Sequence, residues 1–223
     1  MPDLGPLWLT LHLAAVTTFV LLLIGTPVAW WLAFTRSRAK PLVEAVTAMP
    51  LILPPTVLGF YMLIALGPAS PVGSAWLSVT GDTLTFSFTG LVIASVIYSL
   101  PFMVQPLQRG FEGVGRPALD AAASLRAGPW DAFFTVALPL AARSYLTAIV
   151  MTFAHTIGEF GVVLMVGGNI PGETRVISIA IFEHVETLNW AEAHILSAGL
   201  LAFSFTVLVA LYALNRRDAP DAR

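Results

Sequence analysis

Five stretches of this chain run for roughly the length of a bilayer with few or no formal charges, and that pattern limits the fold more than any other feature. Residues 8–34 contain no Asp, Glu, Lys or Arg. A hydrocarbon core of about 30 Å takes about 20 helical residues to cross. Backbone in lipid must satisfy its own polar groups, which a helix does within one segment. The first run is also longer than the roughly 7 to 15 apolar residues of a signal-peptide core, so it reads as a retained membrane helix. Composition agrees: 57% of residues are hydrophobic and 11% charged, against about 25% charged in ordinary soluble domains. The expectation is an all-α polytopic membrane protein, a single domain over 1–223 with five transmembrane helices.

Within the first run, Gly25, Thr26 and Pro27 predict a bend near one end. The second run, 42–66, has Glu44 near its start and Pro50, Pro54 and Pro55 inside it. Prolines at that density predict a kinked or partly unwound helix, which a membrane tolerates where protein or water satisfies the freed carbonyls. Residues 67–86 are rich in Gly, Pro, Ser and Thr and read as an exposed loop. The third run, 88–108, carries no charge, with Pro101 and Pro106 expected to disturb its end. The fourth, 140–168, has Arg143 at its entrance and His155 and Glu159 deeper in, with a helix break expected where Gly158 and Gly161 flank Glu159. A turn-rich loop over 167–175 and a short interfacial helix within 176–192 precede the fifth run, 193–215, which ends at Arg216 and Arg217. With no cysteine, the chain has no disulfide framework, thiolate metal ligand or thiol nucleophile.

Lys and Arg collect on the cytoplasmic side of membrane proteins. Five crossings put the turn at 36–40, the polar stretch 109–139, Arg143 and the C-terminal arginines on one side, and these hold all but Arg175 of the 11 basic residues. The orientation expected is therefore N-out and C-in, with 109–139 in the cytoplasm.

That stretch, RGFEGVGRPALDAAASLRAGPWDAFFTVALP, is a polar island in an oily chain. Ala118, Ala121, Ala122 and Leu125 follow the i, i+3, i+4, i+7 spacing of one helix face, with Asp120 and Ser124 on another. Pro117 suits a first helical position, and Gly128 with Pro129 makes a stop. A mostly alanine face gives shallow lipid insertion but lets a protein surface approach closely, so the helix reads as a docking element. Trp130, Phe133 and Phe134 read as interfacial anchors and packing.

The island resembles the cytoplasmic "EAA" loop of ABC importer permeases. Asp120-Ala121-Ala122, then Gly128, then Val136-Ala137-Leu138-Pro139 match a pattern of Glu-Ala-Ala, a Gly and Ile-x-Leu-Pro. Residues 49–59 (MPLILPPTVLG) and 158–175 (GEFGVVLMVGGNIPGETR) are similar to the permeases of molybdate importers, with tungstate and sulfate permeases as near relatives. There are two departures: Asp120 stands for the usual Glu, and Arg126 occupies the position of the family's Gly, which here lies two residues later. The resemblance implies a type I ABC importer permease fold, a homodimer with the path at its two-fold interface, two cytoplasmic ATP-binding subunits, and an extracytoplasmic oxyanion-binding protein. It implies the plasma (inner) membrane of a prokaryote. It also implies that Asp120, Ala121, Ala122, Leu125, Arg126, Gly128, Leu138 and Pro139 couple the permease to the ATPase.

Other candidates come from the residues themselves. Unwound backbone lines cavities in transporters, which marks Pro54, Pro55, Thr56 and Gly59, and Gly158, Glu159 and Gly161, as path or gate. Glu159 is expected to accept hydrogen bonds from N–H groups freed at its break. Asn169, Glu173 and Arg175 are candidates for contact with the external binding protein. No metal site is expected: His155 and Glu159 are four apart, but a zinc-protease pattern needs a second His. A P-loop needs Gly-Lys-Ser/Thr, and the only lysine, Lys40, follows Ala39. The chain is therefore not expected to be an enzyme or to bind a cofactor, and ATP and Mg belong to a partner. Lipid is expected around it, and nucleic acid is not a partner. A secondary transporter driven by an ion gradient is the rival class, for which Glu159 is the one candidate acid.

Overall fold

The computed structural model describes residues 4–216, with side chains over 4–214. Arg217 and Arg223, which the charge count groups with the basic end, lie outside the described residues. Every regular element among the described residues is helical.

Helix α1 (Gly5–Phe34) runs unbroken through Pro27. Helix α2 (Lys40–Ala48) continues into a 3₁₀ turn at Met49–Leu51, and α3 (Pro55–Leu66) starts after Pro54. Pro55 sits at a first helical position, where its missing N–H costs nothing. The two arms of this second run meet at 109°, a sharper break than a kink.

Residues 67–86 are not simply a loop. They contain α4 (Pro71–Thr80), started by Ser70, whose Oγ accepts from Gly73 N–H at 2.9 Å, and stopped by Gly81 at φ 80°. The same Ser, Pro and Gly that suggested a loop act here as cap, first-turn residue and left-handed stop.

Helix α5 (Phe88–Ser124) begins at Ser87, whose Oγ accepts from Gly90 N–H at 3.1 Å. It passes Pro101 and Pro106 without ending and breaks only at Gly115 (φ 70°, ψ 168°), so the expected disturbance near Gln108 does not occur. Beyond it come α6 (Pro129–Ala132), a π turn at Phe133–Ala137, α7 (Leu138–Leu140) and α8 (Ala142–Ile157). The π turn falls just before Pro139, whose ring would press on the carbonyl four residues back in a regular helix. Then α9 (Gly161–Gly167), α10 (Ile177–Glu186) and α11 (Trp190–Arg216) complete the chain.

Helix α5 is the spine, packed along α1, α8 and α9. Leu21, Ala29, Leu32, Met103, Val104, Leu107, Phe111, Ala141 and Ala148 form one fully buried cluster. At its edge Trp30 meets Phe34, Phe111 and Phe133 edge-on at 4.6 to 5.3 Å between ring centroids, a favoured geometry for ring quadrupoles. Helix α10 is not free at an interface: Ile177, Ile179 and Ala180 are buried, and Ile177 N–H donates to Thr10 Oγ1 of α1 at 2.8 Å. By contrast only 6% of the apolar window of α11 is buried against the chain, compared with 50% for α5. Helices α1, α5 and α11 are each long and apolar enough to cross a membrane, and the bent pairs α2–α3 and α6–α8 supply up to two more crossings.

Candidate functional site

The two broken segments marked as path meet. A Cβ on Gly161 would lie 2.9 Å from Pro55 Cβ, and one on Gly59 would lie 2.8 Å from Met165 Cβ and 3.2 Å from Val162 Cα. Both glycines are therefore required by close approach of α3 to α9. Pro54, Pro55 and Thr56 remain exposed beside this contact. Pro54 O accepts from Val57 N–H at 2.9 Å and Leu58 N–H at 3.2 Å, so the turn satisfies the start of α3 itself.

Glu159 lies in the break between α8 and α9 and is 3% exposed. Its carboxylate does not take freed backbone N–H groups. Instead Ser95 Oγ donates to Oε2 and Ser99 Oγ to Oε1, each at 2.6 Å. The break exposes polar backbone, but α5 supplies hydroxyls one turn apart that reach the side chain first. Ser99 Oγ is also 2.9 Å from His155 Nδ1 and 3.0 Å from Thr156 Oγ1. A hydroxyl has one proton, and Ser99 gives its own to Glu159. The imidazole and Thr156 must therefore donate to Ser99, which puts the ring proton on Nδ1. The His155 ring stacks on Phe102 at 3.9 Å. Ser178 of α10 donates to the Glu159 carbonyl. Ser95, Ser99 and Ser178 were not singled out from sequence, although Ser95 and Ser99 at i, i+4 in an apolar run were a readable signal.

The island forms a short helix after the Gly115 break, as expected, but it ends at Ser124 rather than at the expected stop of Gly128 and Pro129. Its supposed face divides: Ala122 is buried at 8% exposure, Ala118 is half-buried, and Ala121 and Leu125 are exposed, Leu125 at 85%. Asp120 and Gly128 are exposed, Leu138 half-buried and Pro139 exposed. At the helix end Ala127 N–H donates to Ala122 O at 3.1 Å and Arg126 N–H to Ala123 O at 2.9 Å, with Arg126 at φ 68°. This pair of bonds is a Schellman motif, whose left-handed position favours Gly. The position of Arg126 thus favours Gly for its backbone angle, and Gly128, at φ −71°, takes the ordinary role of helix cap for α6. Arg116 Nη2 donates to Phe34 O at 2.8 Å, fastening the break to the end of α1.

At the opposite end Arg175 Nε donates to Asn169 Oδ1 at 2.7 Å, and its guanidinium lies 3.2 Å from Glu183 Oε2. Asn169 Nδ2 also donates to Glu183 at 3.0 Å. Two of the three residues marked for an external contact are thus joined through Glu183, which sequence reasoning missed, while Glu173 remains exposed beside Gly172. Among the described residues no cluster of His and acids has the makings of a metal site.

The model of the family described as "Binding-protein-dependent transport system inner membrane component" matches residues 25–218. The chain belongs to that family. It is 57% identical to the molybdenum transport system permease protein ModB of Azotobacter vinelandii, over 97% of this chain and 96% of that protein. Identity to the sulfate transport system permease protein CysT of a Synechocystis strain is 31%, over 89% of this chain and 70% of that one. In three dimensions it resembles the inward-facing MetNI methionine ABC transporter, with TM-score 0.71, 18% identity, and coverage of 94% of this chain and 92% of that chain. As a family member with this architecture, the chain has the fold of an ABC importer permease and is a transport subunit rather than an enzyme.

Proposed function

We propose that this chain is the permease subunit of an ATP-driven molybdate importer. The observation that carries the substrate is the 57% identity, over nearly the whole of both chains, to a permease named for molybdenum transport, against 31% to one named for sulfate. Two copies enclose the path, and the exposed, proline-broken turn at Pro54, Pro55 and Thr56 with the Glu159 break at Gly158 and Gly161 forms its wall or gate. The scarcely buried α11 supports a second copy or lipid against that helix. The basic end faces the cytoplasm, as the distribution of Lys and Arg favours, and the helix before Ser124 seats on an ATP-binding subunit that supplies ATP and Mg chemistry. Closure of two such subunits would turn the halves between inward-open and outward-open states, a rigid-body switch. An external binding protein delivers the oxyanion to the end carrying Asn169, Glu173 and Arg175.

Uptake into proteoliposomes containing the permease, its ATPase and its binding protein tests this reading. Accumulation of labelled molybdate that requires ATP and survives collapse of ion gradients is the expected result. Preferential uptake of sulfate or tungstate would replace the substrate, and uptake driven by an ion gradient without ATP would sink the class.

A further inference from the structure

Between α5, α8 and the 3₁₀ turn at Met49–Leu51 lies a cavity of about 400 Å³ whose polar lining is Gln105, Arg109, Ser144 and Thr147. Every polar group there except the Gln and hydroxyl oxygens is a donor, and no carboxylate lines it. Below it a second cavity of about 310 Å³ shares Gln105 and Arg109 but is lined by Glu44 and Glu112. Those two acids already have partners. Lys40 Nζ lies 3.7 Å from Glu44 and 3.6 Å from Glu112, and Gln108 Nε2 donates to them at 2.9 and 3.0 Å. Arg109 is exposed, and no hydrogen bond or ion pair joins it to another described residue. Among the described residues it is the cation that lines this cavity.

The placement is specific. Arg109 lies about 30 Å along α5 from Phe88, at the far rim of a hydrocarbon core. Gly110 holds α8 against α5 at this level, since a Cβ there would fall 2.4 Å from Ser144 Cβ and Oγ. Above the cavity the Phe102–His155 stack separates it from the closed hydroxyl network on Glu159. A polar face carrying a free cation in a membrane segment is costly unless water or a charged ligand meets it.

We propose that this cavity is a low-affinity oxyanion site at the inner end of the path, with Arg109 as its charge and Gln105, Ser144 and Thr147 as neutral donors. The proposal rests on the reading of the chain as an oxyanion permease. A guanidinium fork matches two oxygens of a tetrahedral anion. Its exposure keeps the attraction weak, because water and salt screen it, and weak binding suits a site that must release its ligand. The site would take the anion after it passes the Phe102–His155 stack and hand it to the cytoplasm. The same donors would also hold a lipid phosphate, and the test separates the two.

The chain has no cysteine, so Met151→Cys places a single thiol of this subunit on the cavity wall. The rate of its modification by a thiosulfonate is measured in the permease–ATPase complex, in detergent at constant ionic strength, with millimolar molybdate or chloride. Molybdate is expected to slow labelling at least threefold, to lose that protection when Arg109→Gln is added, and to keep most of it with Arg109→Lys. Equal protection with and without Arg109→Gln, or none in the parent, overturns the proposal. Protection by sulfate but not molybdate supports the site while removing the molybdate assignment. Protection by phosphatidylglycerol that no free oxyanion reproduces makes this a lipid site and overturns it. If Arg109→Gln does not assemble with the ATPase, the double variant Ser144→Ala, Thr147→Val takes its place, with a several-fold loss of protection expected.

Discussion

The two ends of the α5–α8 pair handle polarity in opposite ways. Around Glu159 the chain closes its own polar groups: two serine hydroxyls, an imidazole and a threonine meet one buried carboxylate at 2.6 to 3.0 Å between successive partners. Around the island it leaves them open. Arg109, Asp120, Arg126 and Leu125 are all exposed. A site saturated from within holds shape, and a surface left unsaturated awaits a partner. The Glu159 end of the pair thus reads as structure that a transport cycle moves as a unit, and its basic end as the place where the cycle is driven.

The sharpest way to break this comparison is to remove the buried acceptor. Glu159→Ala strands Ser95 and Ser99 as donors, and each buried unsatisfied group costs about 1 to 3 kcal/mol. A loss of roughly 2 to 6 kcal/mol is expected, seen as a large drop in the melting temperature of the purified complex. Ser95→Ala, Ser99→Ala and Glu159→Leu combined should recover part of it, because the two serine donors go with their acceptor, while His155 and Thr156 lose Ser99 as theirs. A single variant as stable as the parent would mean that Glu159 is not held by this network.

The open end is tested by function rather than by melting. Leu125→Glu changes an 85% exposed side chain, so the permease fold should hold within about 0.5 kcal/mol. If Leu125 seats in the ATPase, association should weaken by about 10- to 100-fold, the loss typical of a residue central to an interface. Copurification of the ATPase and ATP-dependent uptake measure it. Undiminished assembly and uptake would remove Leu125 from the coupling surface. Ala122 is the poorer probe, because its own chain buries it and its carbonyl closes the helix end.

How much of this was legible in sequence follows from what each feature depends on. Apolar runs and the basic-residue pattern are local and additive, so the membrane class, the helix break at Gly158 and the short island helix could be read directly. Helix α4 was hidden because Ser70, Pro71 and Gly81 are both loop residues and helix punctuation, and only the hydrogen bonds decide between them. The partners of Glu159 were hidden because they come from α5, more than fifty positions away, and depend on the packing that puts Ser95 and Ser99 under the break. The same holds for Glu183, which closes on Arg175 only once α10 has folded back against α1.

Arg126 gives the smallest expected effect and the clearest separation of backbone from side chain. The residue holds φ 68° at the left-handed position of the helix end, 2.9 Å from its acceptor Ala123 O. A residue with a Cβ pays about 1 kcal/mol or more for that conformation, and Gly does not. Arg126→Gly should therefore tighten the last turn by about 1 kcal/mol, slowing amide exchange at Leu125, Arg126 and Ala127 about fivefold. Arg126→Ala keeps the Cβ and should leave exchange nearly unchanged. If the two variants alter exchange alike, the guanidinium rather than the backbone governs this end of the helix. If exchange behaves as expected but both variants lose ATPase affinity equally, Arg126 has traded a local strain for a charge that the partner reads. The exposed side chain leaves that guanidinium available to such a partner, whereas the Gly usual at this position would offer the ATPase only backbone.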